Sequence, residues 1–169
     1  MAIPEPIAPQ GLADYLAVMS RAVFQAGLSW KMIETRWPHY LRLFENFDPL
    51  LVAAFDATDL DRILGDGGVV RTYKKMAATV ANARTMLELD AKHHGFAAYL
   101  HSFDCYEALA ADLRKRFAFL GDLSVYYFLF RVGEPVPRFE DWEQGIPGDH
   151  PRMREMVALA RERGTSPER

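Results

Sequence analysis

With 169 residues, half of them hydrophobic, the chain has enough material for one compact core and no need of a second. Its 25% charged residues and mean hydropathy of -0.13 are ordinary for a globular protein. No apolar run approaches membrane-spanning length, and Met1 to Gln10 lacks the plan of a signal peptide, so a cytoplasmic protein without a membrane partner is expected. A net charge of -3 excludes a nucleic-acid binder driven by its whole-molecule field, and a single cysteine, Cys105, excludes an internal disulfide or a cysteine-based structural zinc.

Leu12, Tyr15, Leu16, Met19 and Val23 follow the three-and-four spacing of an amphipathic helix, which Gly27 ends. Ser29 reads as the N-cap of a second helix. Trp37-Pro38 predicts an interruption there, with Tyr40 to Asn46 as a separate short helix. Asp48-Pro49 is a further start signal, Thr58 with Asp61 resembles a capping box, and Gly65, Gly67 and Gly68 stop the helix between them. Helical patterns continue over Tyr73 to about Leu89, Phe96 to Phe103, Tyr106 to Phe117 and Leu123 to Val132, broken by a turn at Gly121. The run Gly133 to Pro137 must be extended. A last helix starts at Asp149 or His150 with Pro151 and runs to about Arg163, and Gly164 to Arg169 reads as a frayed tail. No stretch alternates as a strand, so the expected class is all-α: one domain over 1-169, with an extended N-terminus at 1-10 and a polar C-terminal extension at 143-169.

Two short basic groups stand out, Arg71 with Lys74 and Lys75, and Arg114 with Lys115 and Arg116. They are either solvated helix faces or a local site for DNA phosphates. His93-His94 with Glu88 and Asp90 does not supply a ligand set, because adjacent histidines on a helix point in different directions, and no metal or other cofactor is expected. Cys105 reads as a residue filling apolar space.

The segment Val23-Phe-Gln-Ala-Gly-Leu-Ser-Trp30, followed by Phe47-Asp-Pro49, Val52-Ala-Ala54 and Asn82-Ala-Arg84, resembles the DNA-3-methyladenine glycosylase I family. The likeness runs from about Leu16 to Leu89 and resumes around Arg114 to Val132. It implies a compact helical domain of the helix-hairpin-helix DNA glycosylase type, acting on damaged double-stranded DNA. In such a fold a hairpin presents backbone N-H groups to a phosphate, and the damaged base is turned out into a cleft. Phe119-Leu-Gly-Asp-Leu-Ser124 is the candidate hairpin, with Gly121 and Ser124 toward the DNA; a Gly121 that simply ends a helix is the competing reading. The segment has one glycine where such motifs usually have two. By resemblance Trp30 stacks on the extruded base, Leu28 lies near the gap left in the duplex, and Gln25 is a candidate hydrogen-bonding partner of the base edge or of the backbone. Trp30 as a plain core aromatic is the competing reading.

The family usually carries a glutamate three residues before the glutamine of this string, where the present chain has Ala22. Met1 to Gln10 also lacks the aromatic residues, cysteine and histidine that the family brings from its N-terminal segment, and Arg138 to Trp142 lacks the C-terminal zinc partners. In the wider superfamily a catalytic aspartate follows a Gly-x-Pro-like stretch. Gly133 to Asp141 reproduces that layout loosely, which makes Asp141, with Glu140 as the competing choice, the candidate to stabilise the sugar cation or orient water. Acids on a solvated loop are the plain alternative. The expected function is a monofunctional glycosylase releasing an alkylated purine, 3-methyladenine above others. The rivals are a non-catalytic helical DNA-lesion-binding module on the same scaffold, and a helical protein that has left DNA. Gln25, Leu28 and Trp30 are expected to share one cleft with Asp141. The oligomeric state is not readable from the sequence.

Overall fold

The computed structural model describes residues 3-169, and among these it contains ten α-helices and no strand. The helices are α1 (Leu12–Gln25), α2 (Trp30–Leu43), α3 (Pro49–Val52), α4 (Ala57–Leu64), α5 (Tyr73–His93), α6 (Phe96–Leu100), α7 (Tyr106–Arg116), α8 (Asp122–Arg131), α9 (Phe139–Gln144) and α10 (Pro151–Glu162). At their centre is α8. Its run from Val125 to Phe130 is apolar on every side and fully buried, as a helix surrounded by others must be. Helix α1 lies against α8, α5 and α2, and α7 packs on the opposite flank of α8.

Local signals explain most boundaries. Ser29 accepts from the Met32 N-H and caps α2, Asp48 accepts from the Leu50 N-H with Pro49 opening α3, and Gly65 closes α4. The capping box, however, is Asp56 with Asp59, in place of Thr58 with Asp61: each side chain accepts from the other's backbone N-H at 3.0 Å.

The expected break at Pro38 does not occur, and α2 runs through it. Proline removes one hydrogen bond, here on an exposed face, while Ile33, Tyr40 and Leu43 on the other face are buried. Trp37 stacks on Phe47 with centroids 5.2 Å apart and planes 8° from parallel, so packing holds the helix across the proline. Phe47 reaches that position through a tight turn, Glu45–Phe47, whose residues have φ of 52°, 52° and 58°.

The tail is not frayed. Val136 N-H donates to the Pro167 carbonyl at 3.3 Å, Arg169 N-H donates to the Val136 carbonyl at 2.8 Å, and Glu168 accepts from the Phe139 N-H and from Arg161. Helix α10 buries Met153, Met156, Val157 and Ala160, so the C-terminal segment is part of the packed body. The N-terminal segment lies along α8, with Ile7 N-H on the Arg131 carbonyl at 2.7 Å and Arg163 paired with Glu5. Cys105, expected inside, is exposed at the start of α7.

Candidate active site

The matched string forms one wall of a cavity of about 370 Å³. Gln25 ends α1, Gly27 turns the chain with a φ of 74° that suits glycine, and Ser29 starts α2 so that Trp30 stands in its first turn. Lys75 holds this corner from α5. Its ammonium donates to the Phe24 carbonyl at 3.3 Å and to the Ala26 carbonyl at 2.5 Å, capping α1 where carbonyls lack helical partners. Burial lowers the Lys75 pKa from its ordinary value. Lys75, expected to reach DNA phosphates, here turns its ammonium toward these two carbonyls of the fold.

The facing wall is the hairpin between α7 and α8. Buried Asn82 fixes it with a reciprocal pair: its amide donates to the Ala118 carbonyl at 3.1 Å and accepts from the Ala118 N-H at 2.8 Å. Phe119 then takes a left-handed backbone with φ of 59° and stays 49% exposed at the cavity. It occupies the place where a glycine would be unstrained. Gly121 and Ser124 also line the cavity, as do Leu28 and Trp30 opposite them, and Ile146, Pro147 and His150 close a third side.

Inside, Trp30 meets Tyr127 edge-to-face at 5.2 Å, and the Tyr127 hydroxyl accepts from Arg131 at 2.8 Å. Gln25 is 3% exposed and lines the cavity, yet its amide makes no hydrogen bond within the protein. A buried amide without a partner is costly, and a ligand edge is one way to satisfy it. Ala22 is also part of the lining. Tyr127, Phe119 and the supporting Asn82 were not singled out from sequence for these positions: a tyrosine inside an apolar run of a helix reads as core.

The structure separates the candidate acids from this cavity. Asp141 lines a neighbouring hollow of about 350 Å³ with Tyr106, Arg114 and Trp142, and Asp122 and Ile146 border both spaces. The expected loop is helix α9. Phe139 and Trp142 face inward onto Tyr126, with centroids at 6.0 and 4.4 Å, so the intervening Glu140 and Asp141 point outward. Glu140 is forked by Arg161 at 2.8 and 2.7 Å, which holds its carboxyl down at about 2. Both of its carboxylate oxygens are thus engaged by Arg161. Among the described residues lining the cavity, Asp122 is the one carboxylate, and Arg114 pairs with it at 2.8 Å.

Of the basic groups, Arg71, Lys74 and Lys115 are exposed and in no ion pair, while Arg116 is bonded to Asp112 at 2.8 Å. Among the described residues no three His, Cys, Asp or Glu side chains are grouped to hold a metal ion, and the side chains present do not fit a zinc clasp. No helix there is long and apolar enough to cross a membrane.

An all-helical body with an aromatic-lined cavity between a helix junction and a helical hairpin defines the class of all-α domains with a small-molecule-sized site between helices. The sequence model of the methyladenine glycosylase family matches residues 13-107, and the chain belongs to that family. It is 30% identical over 130 residues to DNA-3-methyladenine glycosylase 1 of Escherichia coli K12, covering 64% of this chain and 70% of that one. To the DNA-3-methyladenine glycosylase of Haemophilus influenzae it is 28% identical over the same span. Among solved structures, the 3-methyladenine DNA glycosylase I of Staphylococcus aureus superposes with a TM-score of 0.69 at 25% identity, covering 77% of this chain and 80% of that one. The family match contains the α1–α2 wall and Asn82 and ends before the α7–α8 hairpin.

Proposed function

We propose that this protein is a monofunctional DNA glycosylase that releases an alkylated purine, with 3-methyladenine as the first substrate to test. The observation that carries this reading is the cavity itself. Its size suits a small-molecule site, Trp30 and Tyr127 supply an aromatic wall, and Gln25 and Ser124 supply polar groups with no partner inside the protein. The relatives' names supply the substrate.

The chemistry asks little of the protein. An N-alkylated purine is a cationic leaving group. As the bond from C1′ to the base nitrogen breaks, the electron pair goes to the base, which departs neutral, and water adds to the sugar cation and loses a proton. Trp30 stacks on the base, a contact worth about 1-3 kcal/mol. Gln25 bonds the base edge, and Leu28 and Phe119 at the rim keep the duplex open and limit water. Positioning and preorganised dipoles then supply the rate. With Ala22 where the resemblance expects glutamate, the base edge is read by a neutral amide without a carboxylate.

For the developing sugar cation the reading favours Asp122, which borders the cavity, over Asp141, which stands in the next hollow, and over Glu140, which Arg161 occupies. Gly121 and the first N-H groups of α8 face a backbone phosphate, with Arg114 neutralising Asp122 beside them. Arg71 and Lys74 add screened attraction to the duplex.

Single-turnover incubation with methylated duplex DNA, with the released bases identified, tests this. Release of 3-methyladenine is expected. Salt-sensitive binding to the duplex without release of any base would leave the non-catalytic module as the answer.

A further inference from the structure

Beyond the Tyr127 hydroxyl lies a separate, arginine-lined space that base release does not use. Arg131 is nine-tenths buried. Its Nε donates to the Glu5 carbonyl at 2.8 Å and one terminal nitrogen to Tyr127, which leaves the other terminal nitrogen without a partner. Arg21 lines the same hollow of about 120 Å³, with its guanidinium 5.5 Å from the centre of the Trp37 ring and its buried Nε unbonded. Neither arginine forms a salt bridge with any described carboxylate. Glu34, which attracts Arg21, is itself bridged to Arg152 at 3.2 Å. Burial first, and then the neighbouring Arg131, push Arg21 below the ordinary arginine range.

Neighbouring guanidinium groups drawn partly out of water with no carboxylate in a salt bridge to either are an expensive arrangement, and unsatisfied buried donors call for an acceptor. We propose that the hollow between Arg21 and Arg131 binds hydrogen phosphate. The space equals roughly four waters at about 30 Å³ each, enough for a small oxyanion and too little for a nucleotide. Planar N-H forks match the oxygens of such an ion.

Asp14 sets the selectivity. Its carboxylate borders the hollow and has one oxygen engaged by the Gln10 N-H at 2.7 Å, leaving the other free. A carboxylate repels sulfate, which carries no proton at neutral pH. Hydrogen phosphate donates its O-H to the carboxylate and turns that repulsion into a hydrogen bond. A DNA phosphodiester has no such proton, so the proposed ligand is free phosphate or a terminal phosphate monoester, not the duplex backbone.

The test is calorimetric titration of the whole protein with sodium phosphate, sulfate or chloride at matched ionic strength, with melting temperature as a second readout. Phosphate should bind saturably and raise the melting temperature, and sulfate and chloride should not. Arg21→Met keeps an unbranched side chain beside Trp37 and should weaken phosphate binding roughly 10- to 150-fold, the worth of a charged hydrogen bond. Asp14→Asn should narrow the preference for phosphate over sulfate. Arg131 ties down Glu5 and Tyr127, so its replacement risks the fold and is not the deciding variant. Equal response to sulfate and phosphate, no response to any anion, or an unchanged phosphate affinity in Arg21→Met would overturn the proposal. So would a loss of duplex-DNA affinity in Arg21→Met with phosphate binding intact. None of these outcomes depends on whether the protein releases bases.

Discussion

The rings of Trp30 and Tyr127 stand edge-to-face, 5.2 Å between centroids and 77° between planes, so the edge of one meets a single face of the other and the remaining faces are not covered within the pair. That geometry suits a third ring stacking in the cavity. Trp30→Ala should slow single-turnover release of 3-methyladenine by roughly 5- to 150-fold, the rate equivalent of about 1-3 kcal/mol. Binding to undamaged duplex should change little. Equal loss of both would return Trp30 to a plain core role.

Phe119 invites a comparison of two substitutions. Both Phe119→Gly and Phe119→Ala remove the ring, but only glycine relieves the left-handed backbone. Phe119→Gly should be more stable than Phe119→Ala by about 1 kcal/mol in urea denaturation, and both should release base more slowly than the parent. Full activity in either variant would remove Phe119 from the rim.

Asn82 and Lys75 support opposite walls from the same helix. Asn82→Ala leaves both the N-H and the carbonyl of Ala118 without their partner and should cost about 2-4 kcal/mol of stability. Lys75→Met should cost about 1.5-3 kcal/mol through the uncapped α1 carbonyls, whereas Lys74→Ala should leave stability unchanged and flatten the salt dependence of DNA binding. Denaturation curves beside binding at several salt concentrations separate the two lysines. A flattened salt slope in Lys75→Met with unchanged stability would contradict its capping role.

For the sugar cation the deciding pair is Asp122→Asn and Asp141→Asn. The first should lower the single-turnover rate at saturating enzyme and the second should leave it near the parent value, because only Asp122 borders the cavity. The reverse pattern would require α9 to turn when DNA binds.

Acid should loosen the C-terminal clasp. Arg161 holds Glu140 down at about 2; burial pushes Glu168 up, but its bonds from Arg161, the Phe139 N-H and Ser166 outweigh this and leave it lowered. A carboxyl depressed in the folded state stabilises above its unfolded value, near 4.3, and loses that contribution as pH falls toward 2. The stability gap between the parent and Arg161→Met should therefore be open at pH 7 and shrink between about pH 4.5 and 2. A gap that stays constant would show that the clasp acts by packing alone.

The sequence by itself determined the elements whose causes are local. The spacing of Leu12, Leu16, Met19 and Val23, the Ser29 cap, the Asp48-Pro49 start and the helical pattern from Leu123 to Val132 depend on residues a few positions apart, and all can be read in order. The Gln-Ala-Gly-Leu-Ser-Trp string also placed Gln25, Leu28 and Trp30 on one wall, because a helix end, a glycine turn and a capped helix start leave little freedom. Tertiary structure decided what distant partners control. Pro38 stays helical because Trp37 and Tyr40 are packed from elsewhere. Lys75 turns inward because the Ala26 carbonyl, 49 positions earlier, lacks a helical partner. Asp141 faces away from the cavity because Phe139 and Trp142 have Tyr126 to pack against. In each case burial and unmet hydrogen bonds outweighed a local preference, and such terms depend on contacts that no short window of sequence contains.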